Sequence, residues 1–230
     1  MIRKVWIIVA IALIATMLVA CNDNKEKEIE KNENTEVIEN TENNENEENT
    51  TKIEINKTAS DYTMGEWNES TYTNEMLDVK LQLPSGWIRY SDQEIADLYS
   101  YVTDYFSADP ETVKDAIENQ SIFYLFVQNE ETGSNVQLMT EAVDDSITAD
   151  YYVQVVKAGL EEYTEFNYSD FKTGKATVMG REFSTMSCTA NYSGVDLNQA
   201  YYCEKHGNLM VSIIVTDAGG DVNVNQLFVE

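Results

Sequence analysis

REFSTMSCTANYSGVDLNQAYYCEKHGNLMVSIIV, residues Arg181–Val215, reads as three strands joined by two tight turns. The first strand runs from Arg181 to Tyr192 and stops at Ser193-Gly194. Ala200 to Lys205 returns, His206-Gly207-Asn208 turns the chain again, and Leu209, Val211, Ile213 and Val215 alternate along the third. Short glycine-containing turns between β-branched and aromatic runs signal antiparallel hairpins. The C-terminal half is therefore expected to be a meander.

Working back from this stretch, Phe166 and Tyr168, then Ala176 and Val178, suggest two short strands. Before them, Tyr152, Val155, Val156, Gly159, Leu160 and Tyr163 fall at i, i+3, i+4, i+7, i+8 and i+11, the stripe of a helix lying on a sheet. Ile122 to Val127 is unbroken apolar and aromatic, and Val136, Leu138, Thr140 and Ala142 alternate after a turn containing Gly133, so these two segments should pair as a hairpin. Ser91-Asp92-Gln93-Glu94 is a capping box that opens a helix through Ile95, Leu98, Tyr99, Val102 and Phe106. Asp109 with Pro110 opens a second, short helix. Leu77, Val79, Leu81 and Leu83 alternate as a strand stopped by Pro84-Ser85-Gly86, and Val224, Leu227 and Phe228 suggest a last helical turn. Strands outnumber helices and neighbours join by tight turns. The expected class is α+β, a mostly antiparallel twisted sheet flanked by helices on one or both faces.

The 230 residues carry 41 acidic against 15 basic side chains, a formal charge of −26. A polyphosphate partner needs a basic stripe to release its counterions, so no nucleic acid is expected to bind. Apolar residues make up 43%, enough for one core, and the length suits one domain plus a tail. From Asn22 to Ser60 the chain is nearly all Glu, Asn, Lys and Thr, with twelve acidic and five basic residues and no aromatic one. Burial there cannot offset the entropy of ordering the backbone, so residues 21–60 are expected to form a disordered acidic tether. All fourteen tyrosines lie beyond Ser60, which places the folded domain at 61–230.

Arg3 and Lys4 precede an apolar run, Val5 to Ala20, that ends in Leu18-Val19-Ala20-Cys21. The layout is that of a secretory signal, too short for an ordinary membrane-spanning helix. The tetrad resembles the bacterial lipobox at every position. That resemblance implies that residues 1–20 are a lipoprotein signal peptide and that Cys21 becomes a lipidated first residue. Its partner is then the membrane, and the domain works at the cell membrane facing outside the cytoplasm.

Asn74-Glu75-Met76-Leu77-Asp78-Val79, then Leu83-Pro84-Ser85-Gly86-Trp87, then an acidic capped helix, resembles the opening of small lipoproteins common in Firmicutes. Their domain is similar to the PsbP-like fold, an antiparallel sheet with flanking helices. Tyr201-Tyr202 leading through Lys205-His206-Gly207-Asn208 into an apolar strand fits the same pattern, and the similarity covers Tyr72 to Glu230. None of these motifs is catalytic. The resemblance implies docking onto another protein.

Candidate chemistry is sparse. The single histidine, His206, stands in a turn, and no catalytic residue, metal centre or cofactor is expected. Cys188 and Cys203 lie on consecutive strands. They either close a cross-strand disulfide or remain two reduced small hydrophobes. Asp217 to Asn225 places oxygen ligands at alternate positions as calcium loops do, but Gln226 stands where the loop needs glycine. The pairs Glu130-Glu131, Asp144-Asp145 and Glu161-Glu162 read as solvated faces. Tyr192, Tyr201 and Tyr202 form a candidate binding patch, although strands favour tyrosine in any case. The expected function is a non-catalytic binding or accessory module for an unidentified envelope or surface protein or other envelope component. The alternative is an envelope glycan or peptide hydrolase using dispersed carboxylates, recognisable by two of them about 5–10 Å apart in a cleft. A two-lobed solute receptor needs a longer chain.

Overall fold

The computed structural model describes residues 63–106, 121–163, 166–192, 194–219 and 222–230. The signal peptide, Cys21, the tether and the short helix at Asp109-Pro110 lie outside the described residues.

The meander at its C-terminal end is present. Strands β8 (Arg181–Tyr192), β9 (Val195–His206) and β10 (Leu209–Asp217) pair antiparallel in sequence, with Tyr192 opposite Val195 and His206 opposite Leu209. Gly207 sits at φ +62° in the second of these turns, a conformation that costs a residue without Cβ little. β9 is longer at its start than the Ala200–Lys205 reading, because Val195 to Gln199 continue the ladder to β8 although three of these five residues are polar. Upstream, β7 (Ser169–Val178) is a single ten-residue strand and not two short ones. Hydrogen bonding to β8 carries it across Lys172, Gly174 and Lys175, where side-chain hydrophobicity gives no signal. Met179 and Gly180 join β7 to β8, both at positive φ.

Among the described residues the large sheet has seven antiparallel strands. β4 (Trp87–Arg89), β5 (Ser121–Asn129) and β6 (Asn135–Ala142) lie on the other side of β10, giving the order β4-β5-β6-β10-β9-β8-β7. β5 and β6 form the expected hairpin, with a bulge between Phe123 and Leu125 that places Tyr124 and Leu125 in the same core. A second sheet of three strands, β1 (Glu66–Asn68), β2 (Thr71–Asn74) and β3 (Val79–Gln82), stands apart from the first. β3 is shorter than the Leu77–Leu83 alternation suggested. Asp78 takes φ +51° and the Asn74 side chain accepts from the Leu77 amide at 3.1 Å, so Leu77 belongs to the turn before the strand. β1 and β2, polar apart from Trp67 and Tyr72, escape a reading based on hydrophobic alternation.

Two helices cover one face of the large sheet. α1 (Asp92–Phe106) starts with the expected capping box. The Ser91 amide donates to Glu94 Oε2 at 2.8 Å, and this bond holds the Glu94 carboxyl below its usual range. α2 (Ala149–Glu162) is capped by Thr148, whose side chain accepts from the Tyr151 amide. α2 buries Tyr152, Val153, Val156 and Leu160, a stripe rotated slightly from the sequence reading: Val153 is inside and Val155 only half-buried. Ile95 and Tyr99 of α1 and these α2 residues pack on Phe126, Met139, Met186, Tyr201, Cys203, Met210 and Ile214. On the opposite face, Tyr72, Leu77, Val79 and Leu81 of the small sheet pack on Val127, Val136, Leu138, Val211 and Ile213. The short helix α3 (Val224–Leu227) joins this second core, and Phe228 pairs with Leu81, so the C-terminal residues run beside β3.

The fold is therefore α+β and mostly antiparallel: helices on one side, a small sheet on the other, the seven-stranded sheet between. The two edges of the large sheet differ. Arg89 of β4 lies 5.1 Å over the Trp67 ring of β1, which closes that edge against the small sheet. β7 is open but carries Lys172, Lys175 and an irregularity at Asp170, devices that discourage further strand addition.

Candidate binding face

The register of β7, β8 and β9 decides what each sequence-predicted residue does, because directly paired residues share a face. Cys203 pairs with Ser184 and Cys188 with Gln199. The two cysteines are four residues out of step, about 13 Å along the strands at roughly 3.3 Å per residue. A disulfide needs Cα atoms within about 7 Å, so the disulfide expectation is corrected: both are free, buried thiols. Burial pushes each thiol up to about 12. Cys203 Sγ lies 3.6 Å from Ser212 Oγ and serves as packing.

The tyrosine patch also divides. Tyr201 is 1% exposed in the helix-side core, its hydroxyl donating to Gln199 Oε1 at 3.2 Å, so it cannot form part of a surface patch. Tyr202 lies on the other face, half-buried at the margin of the small-sheet core, and burial raises its phenol pKa. Tyr192 closes β8, and its side chain lies outside the described residues.

Three charged clusters bring groups together that chemistry could use. Lys175 Nζ donates to Ser184 Oγ at 3.0 Å and meets Asp150 at 2.6 Å, while Ser184 Oγ donates to Asp150 at 2.7 Å. A lysine activates a serine only when deprotonated. Here the bond to Asp150 raises the lysine and lowers the aspartate, so both stay charged and the cluster ties β7 to α2. Arg181 Nη1 donates to Leu77 O at 3.1 Å and lies 3.4 Å from Glu204 and 3.9 Å from Asp78. Burial raises the Glu204 carboxyl against the opposing pull of Arg181. A carboxylate pair that cleaves a glycosidic bond needs open space between its members, and a guanidinium occupies that space here. Beside Asp78 a cleft of about 330 Å³ is lined by Asn74, Glu75, Lys80, Met179 and Glu230, with Lys80 Nζ donating to Glu230 O at 3.1 Å.

The calcium-like segment has a structural use. Asp217 accepts from the Gly219 amide at 3.1 Å, the Val222 amide at 3.3 Å and Ser134 Oγ at 3.3 Å, and Asn223 caps α3. The Asp217 carboxylate thus shapes its own loop. His206 is an exposed residue at the end of β9. Among the described residues, no group of three His, Cys, Asp or Glu side chains is placed to hold a metal ion, and no helix is long and apolar enough to cross a membrane.

What remains is a surface. Paired registers put Gly174, Thr185 and Tyr202 in one row, Lys172, Ser187 and Ala200 in the next, then Thr189 with Asn198, then Asn191 with Asp196. This is the outer face of β7–β9, opposite the helices. Except for the bonded pair Asn191 and Asp196, its polar side chains have no internal hydrogen-bond partner among the described residues. Every residue of these rows is half-buried or exposed, whereas Met186, Cys188, Tyr201 and Cys203 on the inner face are buried. Sequence reasoning passed over Thr185, Ser187 and Thr189. Their period-two spacing was the available signal.

No family model and no curated protein matches the chain. The chain is similar to a number of solved structures, among them the following three. The first is cyanobacterial PsbP (CyanoP) from Synechocystis, at 10% identity over 65% of this chain and 79% of that one, TM-score 0.40. The second is a protein from Bacteroides thetaiotaomicron, at 11% identity over 69% of this chain and 47% of that one, TM-score 0.38. The third is LpqN, involved in cell envelope biogenesis of Mycobacterium tuberculosis, at 11% identity over 61% and 71%, TM-score 0.34. At these identities and TM-scores the likeness carries no argument about what the chain binds or does.

Proposed function

We propose that the chain is a lipid-anchored extracytoplasmic binding or accessory module. Residues 1–20 direct export, Cys21 carries the lipid, residues 21–60 hold the domain 61–230 away from the membrane, and the domain engages an envelope component through its surface. The observation that carries this reading is the outer face of β7–β9, which from Thr185 to Asn191 carries no second layer among the described residues, whereas the same face of β6 and β10 is packed by β1–β3 and α3. The charged clusters that chemistry could use are instead paired with one another across elements, which favours contact over bond breaking.

Two measurements test it. A radiolabelled lipid precursor fed to producing cells is expected to tag the wild-type chain and not Cys21→Ala; incorporation that survives the substitution removes the anchor. Cells producing Cys21→Ser are expected to lose the chain from the membrane fraction without loss of its fold. Recovery of one envelope component in a stable complex with the purified chain is the expected outcome of a native pull-down, and turnover of an envelope polymer without such a complex would favour the hydrolase.

A further inference from the structure

We draw no further inference here: the strongest candidate, the side-chain cluster of Arg181, Glu204 and Asp78 between the small sheet and β8–β9, in which Arg181 Nε and Nη2 and Glu204 Oε2 are buried without a hydrogen-bond partner among the described residues, belongs to the packing of the two sheets already described, and the cleft beside it is lined by Asp78 and by neither Arg181 nor Glu204, so nothing in the structure shows what those atoms would bind.

Discussion

Tyr201 and Tyr202 are neighbours in β9 and end on opposite sides of one sheet. Tyr201 is sealed in the helix-side core with Met186, Cys188 and Cys203, whereas Tyr202 borders an outer face of Thr185, Ser187, Thr189 and Asn198. The same three strands thus have a face that stabilises the fold and a face left available to a ligand. The difference shows that a run of tyrosines in a strand is not a patch: the two-residue period of the chain divides it before any partner is involved.

Chemical reactivity should separate the faces most sharply. With thiol pKa values near 12, Cys188 and Cys203 present about one thiolate in ten thousand at pH 8, and helix-side packing shields both. Alkylation of the folded Cys21→Ser chain is expected to spare them and to add two groups on unfolding; rapid labelling of the native protein would break the comparison. Next in size is Tyr201→Ala, expected to cost about 3–5 kcal/mol by the chemical denaturation midpoint, the range for truncating a large buried ring. Tyr152→Phe removes a buried hydroxyl that donates to Glu141, and a loss of about 1–3 kcal/mol is expected because a buried carboxylate loses a donor.

A smaller effect depends on pH. Asp150 is held below its ordinary value by Lys175 and Ser184. A carboxyl depressed in the folded state stabilises above its unfolded pKa, and that contribution disappears as pH falls through the folded one. The melting temperature of Asp150→Asn should therefore lie below wild type at pH 7 and converge with it in acid; a gap that widens in acid would reverse the sign. Smallest of all, Tyr202→Phe and Thr189→Ala should change stability by less than about 0.5 kcal/mol, since neither hydroxyl has an internal partner among the described residues. A larger loss in either would mean that the outer face is structural.

Much of the fold was legible because its elements announce themselves locally. The Ser91–Glu94 box, the stripe from Tyr152 to Leu160 and the turn at His206-Gly207-Asn208 each rest on neighbours within a few residues. β1, β2 and the middle of β7 were not legible, because polar strands such as Thr71–Asn74 exist through ladder hydrogen bonds to a partner and not through their own pattern. The candidate site was half legible. Alternating Thr185, Ser187 and Thr189 marked a solvent-directed face, but nothing local says that this face stays open while the neighbouring outer face of β6 and β10 is covered by β1–β3 and α3.

From the order of residues alone came the acidic balance, the strand-rich α+β class, the two-residue alternation of the meander and the helix caps. Each depends on composition or on contacts close in sequence. Only the folded arrangement decided that Cys188 and Cys203 miss one another by four residues, that Arg181 stands between Asp78 and Glu204, and that the outer face of β7–β9 carries no second layer among the described residues. These are matters of strand register and layer packing. Both are set by groups far apart in the chain, where a shift of one residue exchanges every side chain between core and solvent.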